Sequence, residues 1–445
     1  MWKLFGGKQR VSDTQNSVVV QIGGDNHGTI TLVDPKAKEA LEAYKRQLDS
    51  QQVELDMKNQ QIQTLTDILS NLTQAKQSHA LPEQDVDDAL QAIIDSGDTD
   101  KAKALLTRQI DSCEGAVQRQ ATLYYQRASL SFLSETDTPL ADTLRATQLN
   151  PDYIEAWNQL GLLYRRKGEL DQALEAYKQV KALAEKTNDQ GFIAAATGNM
   201  GIVYQIRGEL DTALEMYQTA LALHEALGCK EGMASGYGNM GLIYDTRGEL
   251  DTTLEMYHKA LALHEALGSK EGMASGYGNI GTVYQTRGDL DTALEMYQKA
   301  LVLNENLGRK EGMAGSYGNM GIIYKTRGEL DAALEMYQKA LALNEALGRK
   351  VGMANQYGNI GNIYLTRGEP DTALEMYQKA LTLNKALGRK EGMAIQYCNM
   401  GIIYETRGEL DAARDCWLKS LKLFEEIGAQ HQIDKVKQWL DSLDK

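Results

Sequence analysis

The sequence predicts an all-α solenoid of antiparallel helix pairs, and three observations carry that prediction. The segment Gly-Asn-Met-Gly-Leu-Ile-Tyr at 238–244 recurs, with small variations, every 40 residues and without insertions. A fixed period of this size marks stacked supersecondary units, each burying its apolar face only against its neighbours. The 445-residue chain holds 41 glycines but only 5 prolines, and 34 of the glycines fall after residue 150. Glycine used in this way punctuates a regular structure and fits neither collagen nor a disordered linker. Finally, each period carries two stretches of apolar residues at helical spacing around an Arg-Gly-Glu-Leu-Asp turn or a close variant. That reads as helix, turn, helix.

The N-terminal arm, 1–34, departs from this pattern. Residues 17–22 and 29–33 alternate around a Gly-Gly-Asp-Asn-His-Gly centre, which predicts a β-hairpin with Val18, Val20, Ile22, Ile30 and Leu32 on one face. A lone two-stranded hairpin is marginal in water, so this one is expected to pair with copies of itself or dock on a partner. Residues 35–80 read as a coiled-coil-like helix, with Leu41, Leu48, Leu55, Ile62 and Leu69 spaced seven apart. Two arrangements satisfy that stripe. It either folds back on the array or joins two copies of the chain, and its narrowness favours the second. Residues 84–150 read as two degenerate helix pairs. Seven 40-residue units then occupy 151–428, and 429–445 forms a capping helix with Ile433, Val436, Leu440 and Leu443 on its apolar side.

Within a unit, the first helix runs roughly from Glu231 to Thr246 and stops at Gly248, and Asp251 at the start of the second is expected to cap it. Leu254, Tyr257 and Leu261 form one apolar line, and Met256, Ala260, Leu263 and Leu267 a second. Gly241 sits inside a helix, where it costs about 1 kcal/mol relative to Ala. Its recurrence from Gly161 to Gly401 suggests that two helix backbones approach closely there.

Trp157, Leu160, Gly161 and Tyr164, then Ala173 and Tyr177, with Asn150-Pro151 just before, resemble a tetratricopeptide (TPR) repeat. The resemblance covers 151–428 and implies a right-handed superhelical solenoid. The 40-residue unit exceeds the usual length of about 34. It is similar to the long repeats of Pins-type adaptors and kinesin light chains, with a Leu-Gly-Arg-Lys-Glu-Gly-Met-Ala link closer to the adaptors.

The chemistry of the chain excludes several functions. The net charge of −14 lies wholly beyond residue 80, which argues against nucleic-acid binding. Four scattered cysteines form neither a disulfide scaffold nor a zinc site, and no P-loop frame is present. His224 and His264 share a register with Asn304, Asn344 and Asn384, which points to a surface or groove position and not to a metal. No cofactor is implied, the chain reads as a non-enzyme, and a cytoplasmic location is the simplest reading. A membrane contact through Trp2, Leu4 and Phe5 is a lesser alternative.

What remains is a groove. One register of the first helices is always asparagine: Asn199, Asn239, Asn279, Asn319, Asn359 and Asn399. The family resemblance implies that first helices line the concave face and that such an asparagine bonds the backbone of an extended ligand. An amide offers both a donor and an acceptor for that purpose. The alternative is that the asparagines bond neighbouring helices. The family's carboxylate clamp needs Lys where this chain has Gly, so that mechanism does not carry over. Selectivity is expected from two variable registers. One is Gln205, Asp245, Gln285, Lys325, Leu365 and Glu405, and the other runs from Ala195 to Asn355 and Ile395. The ladder Arg207 to Arg407 reads as C-terminal capping, with a basic rail for an acidic partner as the minority reading. The expected function is a protein-interaction scaffold holding a peptide or protein segment, multimerised into a homo-oligomer through 1–80. The alternative is a sensor in a bacterial signalling or defence pathway, because Gly-Asn-rich hairpins before a helix resemble those of some such proteins.

Overall fold

The computed structural model describes residues 18–21, 29–32, 37, 39–41, 65–66, 68–76, 81–96, 98–112, 117–131 and 137–443. They fall in two compact units, Met1–Gly268 and Ser269–Lys445. In the first, β1 (Val18–Gln21) pairs antiparallel with β2 (Thr29–Leu32), Val18 lying opposite Leu32. The connecting residues, including Ile22, lie outside the described residues, as do Trp2, Leu4 and Phe5. From Glu83 onward the elements among the described residues are all α-helices.

The first unit continues with α1 (Glu83–Ser96), α2 (Asp100–Ser112), α3 (Val117–Ser131), α4 (Asp137–Leu149), α5 (Ile154–Lys167) and α6 (Leu170–Thr187). It closes with α7 (Gln190–Ile206), α8 (Leu210–Leu227), α9 (Lys230–Thr246) and α10 (Leu250–Leu267). The second unit holds α11 (Lys270–Arg287), α12 (Leu290–Leu307), α13 (Lys310–Thr326), α14 (Leu330–Ala346) and α15 (Lys350–Thr366). After these come α16 (Pro370–Ala386), α17 (Lys390–Thr406), α18 (Leu410–Ile427) and α19 (Gln430–Leu443). Within each unit, successive helices pack in pairs, and the second helix of a pair also packs on the first helix of the next. The 40-residue units are therefore helical hairpins, stacked in sequence order within each compact unit.

The recurrent mid-helix glycine has a different cause from the one expected. A Cβ at Gly321 would lie 2.5 Å from Cε1 of Tyr337, and at Gly361 2.6 Å from Cε1 of Tyr377. The close approach is therefore a ring pressed on a helix backbone, not two backbones in contact. The ring is worth the glycine: Tyr337 and Tyr377 are wholly buried, the centre of each unit's core, and a buried aromatic ring removes more apolar area than any other contact there. In the last unit Trp417 takes the tyrosine's place over Gly401 and stacks on Trp439 of α19, ring centroids 5.5 Å apart.

Two other expectations change. The aspartate at the start of each second helix is not its cap. The cap position is a glutamate such as Glu249 or Glu329, whose side chain makes no capping bond. The aspartate lies one residue into the helix and reaches the next unit instead: Asp211 pairs with Arg247, Asp331 with Arg367, and Asp371 with Arg407. Arg247, Arg367 and Arg407 keep the expected C-cap positions of their helices, and the same side chains form an ion-pair ladder between repeats. These pairs are exposed on the carboxylate side and each is worth less than about 1 kcal/mol.

The heptad stripe is also partly accounted for. Leu41 and Leu69, with Leu65 and Leu72, are almost fully buried in one core with Val86, Leu90 and Ile93 of α1 and Leu105 of α2. Lys76 pairs with Asp87 at 2.6 Å beside them. The described part of the stripe is spent within one chain, which is the folded-back arrangement, whereas self-association would leave it open in a single copy. Leu48, Leu55 and Ile62 lie outside the described residues.

Candidate functional site

The first helix of each unit carries a face that the second helix does not cover. On α13, Gly315, Ile322, Lys325 and Thr326 are exposed and Asn319 is half-buried. One unit further, on α15, Asn355 and Thr366 are exposed, with Asn359, Asn362 and Leu365 half-buried between them. These residues are three or four apart, so they share one side of the helix. The opposite side carries Met313, Tyr317 and Tyr324 into the core.

The asparagine register lies on this open face. Asn199 donates to the Asn158 side chain at 3.3 Å, and Asn399 to the Asn362 side chain at 3.4 Å. Among the described residues, the side-chain amides of Asn239, Asn279, Asn319 and Asn359 have no hydrogen-bond partner. The alternative reading, in which the asparagines tie helices together, is therefore met at two positions and not at the other four. The glycines beside them split in the same way. A side chain at Gly238 or Gly278 would enter open space, whereas Gly318 and Gly358 are covered by the amides of Gln356 and Gln396, each 3.3 Å from the position of an added Cβ.

Those two glutamines were missed by the sequence reading. Gln356 and Gln396 are buried at 9% and 6% exposure, and the Oε1 of each has no partner. The signal was available, because their register reads Ala196, Gly236, Gly276 and Ser316 in the earlier units. Long amides replacing small residues beside a constant asparagine mark a change in the floor of the face.

The first selectivity register proves to be divided. The Tyr217 hydroxyl donates to Oε1 of Gln205 at 2.7 Å, and that of Tyr297 to Oε1 of Gln285 at 3.0 Å. These glutamines therefore partly serve the buried tyrosines. Burial pushes the Tyr257 hydroxyl well above its usual range, and Asp245 adds to the effect, while burial alone takes Tyr337 up to about 12. Lys325 and Glu405 are exposed and Leu365 is half-buried. A second concavity of about 720 Å³, lined by Tyr357, Lys379 and Tyr404 among others, contains none of the asparagines.

In the register of His224 the later asparagines are not at the surface, while His224 and His264 themselves are half-buried. Asn304, Asn344 and Asn384 are buried, at 5%, 3% and 2% exposure, and Asn304 and Asn344 donate to the carbonyls of Ala300 and Ala340. Each presses on a glycine of the following helix, Gly312, Gly352 or Gly392, where a Cβ would come within 2.4 Å. Among the described residues no cluster of three His, Cys, Asp or Glu side chains could hold a metal, and no helix is long and apolar enough to cross a membrane.

Comparison with solved structures agrees with the helical-hairpin architecture. A signal transduction ATPase with numerous domains from Pyrococcus horikoshii, bearing a tetratricopeptide repeat sensor, matches with a TM-score of 0.58 at 11% identity. The match covers 91% of this chain and 70% of that one. The apo form of the quorum sensor NprR from B. thuringiensis matches with a TM-score of 0.57 at 13% identity, over 77% and 98% of the two chains. A Rap protein complexed with competence and sporulation factor gives 0.51 at 13% identity, over 78% and 94%. At these identities the likeness is one of fold. The sequence itself is matched by the tetratricopeptide repeat model at 152–227, 232–306 and 312–386, half of the chain. On that match, and on hairpins of one period stacked within each compact unit, the chain belongs to the tetratricopeptide repeat family.

Proposed function

We propose that the chain is a non-catalytic protein-interaction scaffold whose first-helix face holds an extended segment of a partner. The observation that carries this reading is the run of asparagine amides without partners beside exposed Ile322, Lys325 and Asn355. An amide left without a protein partner on a part-buried face is satisfied by a ligand's peptide groups at no cost in internal bonds. The resemblance to long-repeat adaptors points the same way, and so does the solved Rap complex with its factor, which shares the fold. Copies joined through β1 and β2 would multiply weak single-site affinity.

The test is a cross-linking pull-down comparing wild type with an Asn279→Ala, Asn319→Ala, Asn359→Ala triple variant. The variant should fold normally, because no internal bond is removed, and should lose its partners. Recovery of the same partners by both proteins would refute the assignment. The sensor reading is the second possibility. Its support is that two of the fold neighbours, the P. horikoshii ATPase and NprR, are described as carrying a sensor or being one.

A further inference from the structure

Near-identical units make a single departure conspicuous, and one occurs at the start of α15. The first turns of α11, α13 and α17 carry Glu271, Glu311 and Glu391, but α15 carries Val351 and no acid. The glutamates are partners for arginines one unit on. Arg309 pairs with Glu271 at 3.3 Å, and Arg349 pairs with Glu311. Arg389 occupies the next step of this series and, among the described residues, finds no carboxylate. It donates to the side-chain oxygens of Asn355 at 3.3 Å and Asn384 at 3.4 Å. It is half-buried, and the first turn of α15 carries no acidic residue to compensate the positive end of that helix.

The surroundings are apolar in a way the other units are not. Val351 is 43% exposed, and it lies one turn before Asn355 on the open face of α15. Ile395, 42% exposed, holds in α17 the register that is Ser275, Gly315 and Asn355 in the earlier units. A guanidinium without a carboxylate thus bonds Asn355 of α15, which carries exposed Val351 one turn before and half-buried Asn359 one turn after, while α17, which Arg389 precedes, carries exposed Ile395.

We propose that Arg389, Asn355, Val351 and Ile395 form the anchoring subsite of the open face. Its occupant is the side-chain carboxylate of an Asp or Glu adjacent to an aliphatic residue, in an extended segment of a partner protein. The carboxylate takes the position that Glu311 takes against Arg349 one unit earlier. The aliphatic neighbour covers Val351 and Ile395. Asn355 holds the guanidinium in place and keeps it oriented while the subsite is empty. This inference rests on the reading of the face as a ligand site and names the chemistry that it selects.

Val351→Glu tests it without threatening the fold, because it restores the residue that the other units use. The full chain, Val351→Glu and Arg389→Gln are each presented with a displayed library of random peptides. A synthetic peptide from the wild-type selection is then titrated by fluorescence anisotropy. Wild type should enrich an acid next to an aliphatic residue. Both variants should bind the peptide roughly tenfold more weakly or worse, while Val351→Glu melts no lower than wild type. Changing the peptide's acid to its amide should cost wild type the same factor and cost Arg389→Gln nothing further. Selected peptides without an acid, or undiminished binding by Val351→Glu, would overturn the subsite. If binding then still fails in the asparagine triple variant, the open face stands and only the subsite falls. If no peptide is selected, or all variants bind alike, both readings fall.

Discussion

The register that carries His224 in one unit carries Asn304, Asn344 and Asn384 in others, and the two side chains meet the same packing demand differently. The asparagine inserts against a glycine of the next helix and satisfies its amide on a carbonyl one turn back. His224 inserts against Gly232 with its Nδ1 buried and unpartnered, and desolvation lowers its pKa below the ordinary value. An imidazole held below about 6.5 takes up its proton at lower pH in the folded chain than in the unfolded one. The unfolded chain therefore binds more protons in the window below that value, and stability falls as pH falls through it. Above it the position costs nothing in protonation. His224→Asn should therefore match wild type near pH 8 and melt progressively higher than wild type as pH drops from 6.5 to 5. Melting curves that stay parallel across that range would contradict this account. The sequence exposed the register but not its burial. An Asn or His at the polar edge of an amphipathic helix reads as exposed until the glycine opposite it, eight residues on, is seen to leave it room.

At the scale of one helix, the second helices show what a cap contributes. Their cap position is Glu in most units, and no glutamate there bonds the backbone. In one unit it is Asp289, which accepts from the Thr292 N–H at 3.2 Å and from its hydroxyl at 2.8 Å, with backbone angles close to those at Glu329. The shorter side chain reaches back to the orphan donors where the longer one overshoots. Glu329→Asp should thus stabilise by about 0.5–1 kcal/mol, and Asp289→Ala should cost about 1 kcal/mol. Urea unfolding followed by circular dichroism measures both. The weak contact of Glu329 with Arg327 at 4.0 Å is too exposed to offset the gain. Helix ends were legible in the sequence because glycine fixed them: Gly248, Gly268 and Gly328 all take positive φ where the pattern places a stop. The partner of the aspartate was not legible. Asp211 meets Arg247 across 36 residues, and a pairing between units has no local signature.

For the whole molecule, the question is which part of the arm is left for copies of the chain to meet through. A heptad stripe and a lone strand pair both predict association, but the structure spends one of them internally. Leu41, Leu65, Leu69 and Leu72 share a core with α1 and α2, so a second copy could reach them only by displacing those helices. A stack of repeats needs a cover on its first unit, since each unit's apolar face is closed by a neighbour. The helical residues 65–66 and 68–76 supply that cover here. Any association through the arm would then fall to β1 and β2, since the edges of a strand pair are templates for further pairing. Two variants separate the roles. Deleting 1–34 should convert an oligomer to a monomer in light scattering and leave the melting temperature nearly unchanged. Leu69→Asp should leave the oligomer intact and cost several kcal/mol, because it buries a charge without a partner. Dissociation by Leu69→Asp without loss of stability would restore the stripe as the seam. A monomeric full-length chain would remove the multivalent part of the proposal and leave the open face to bind one partner at a time.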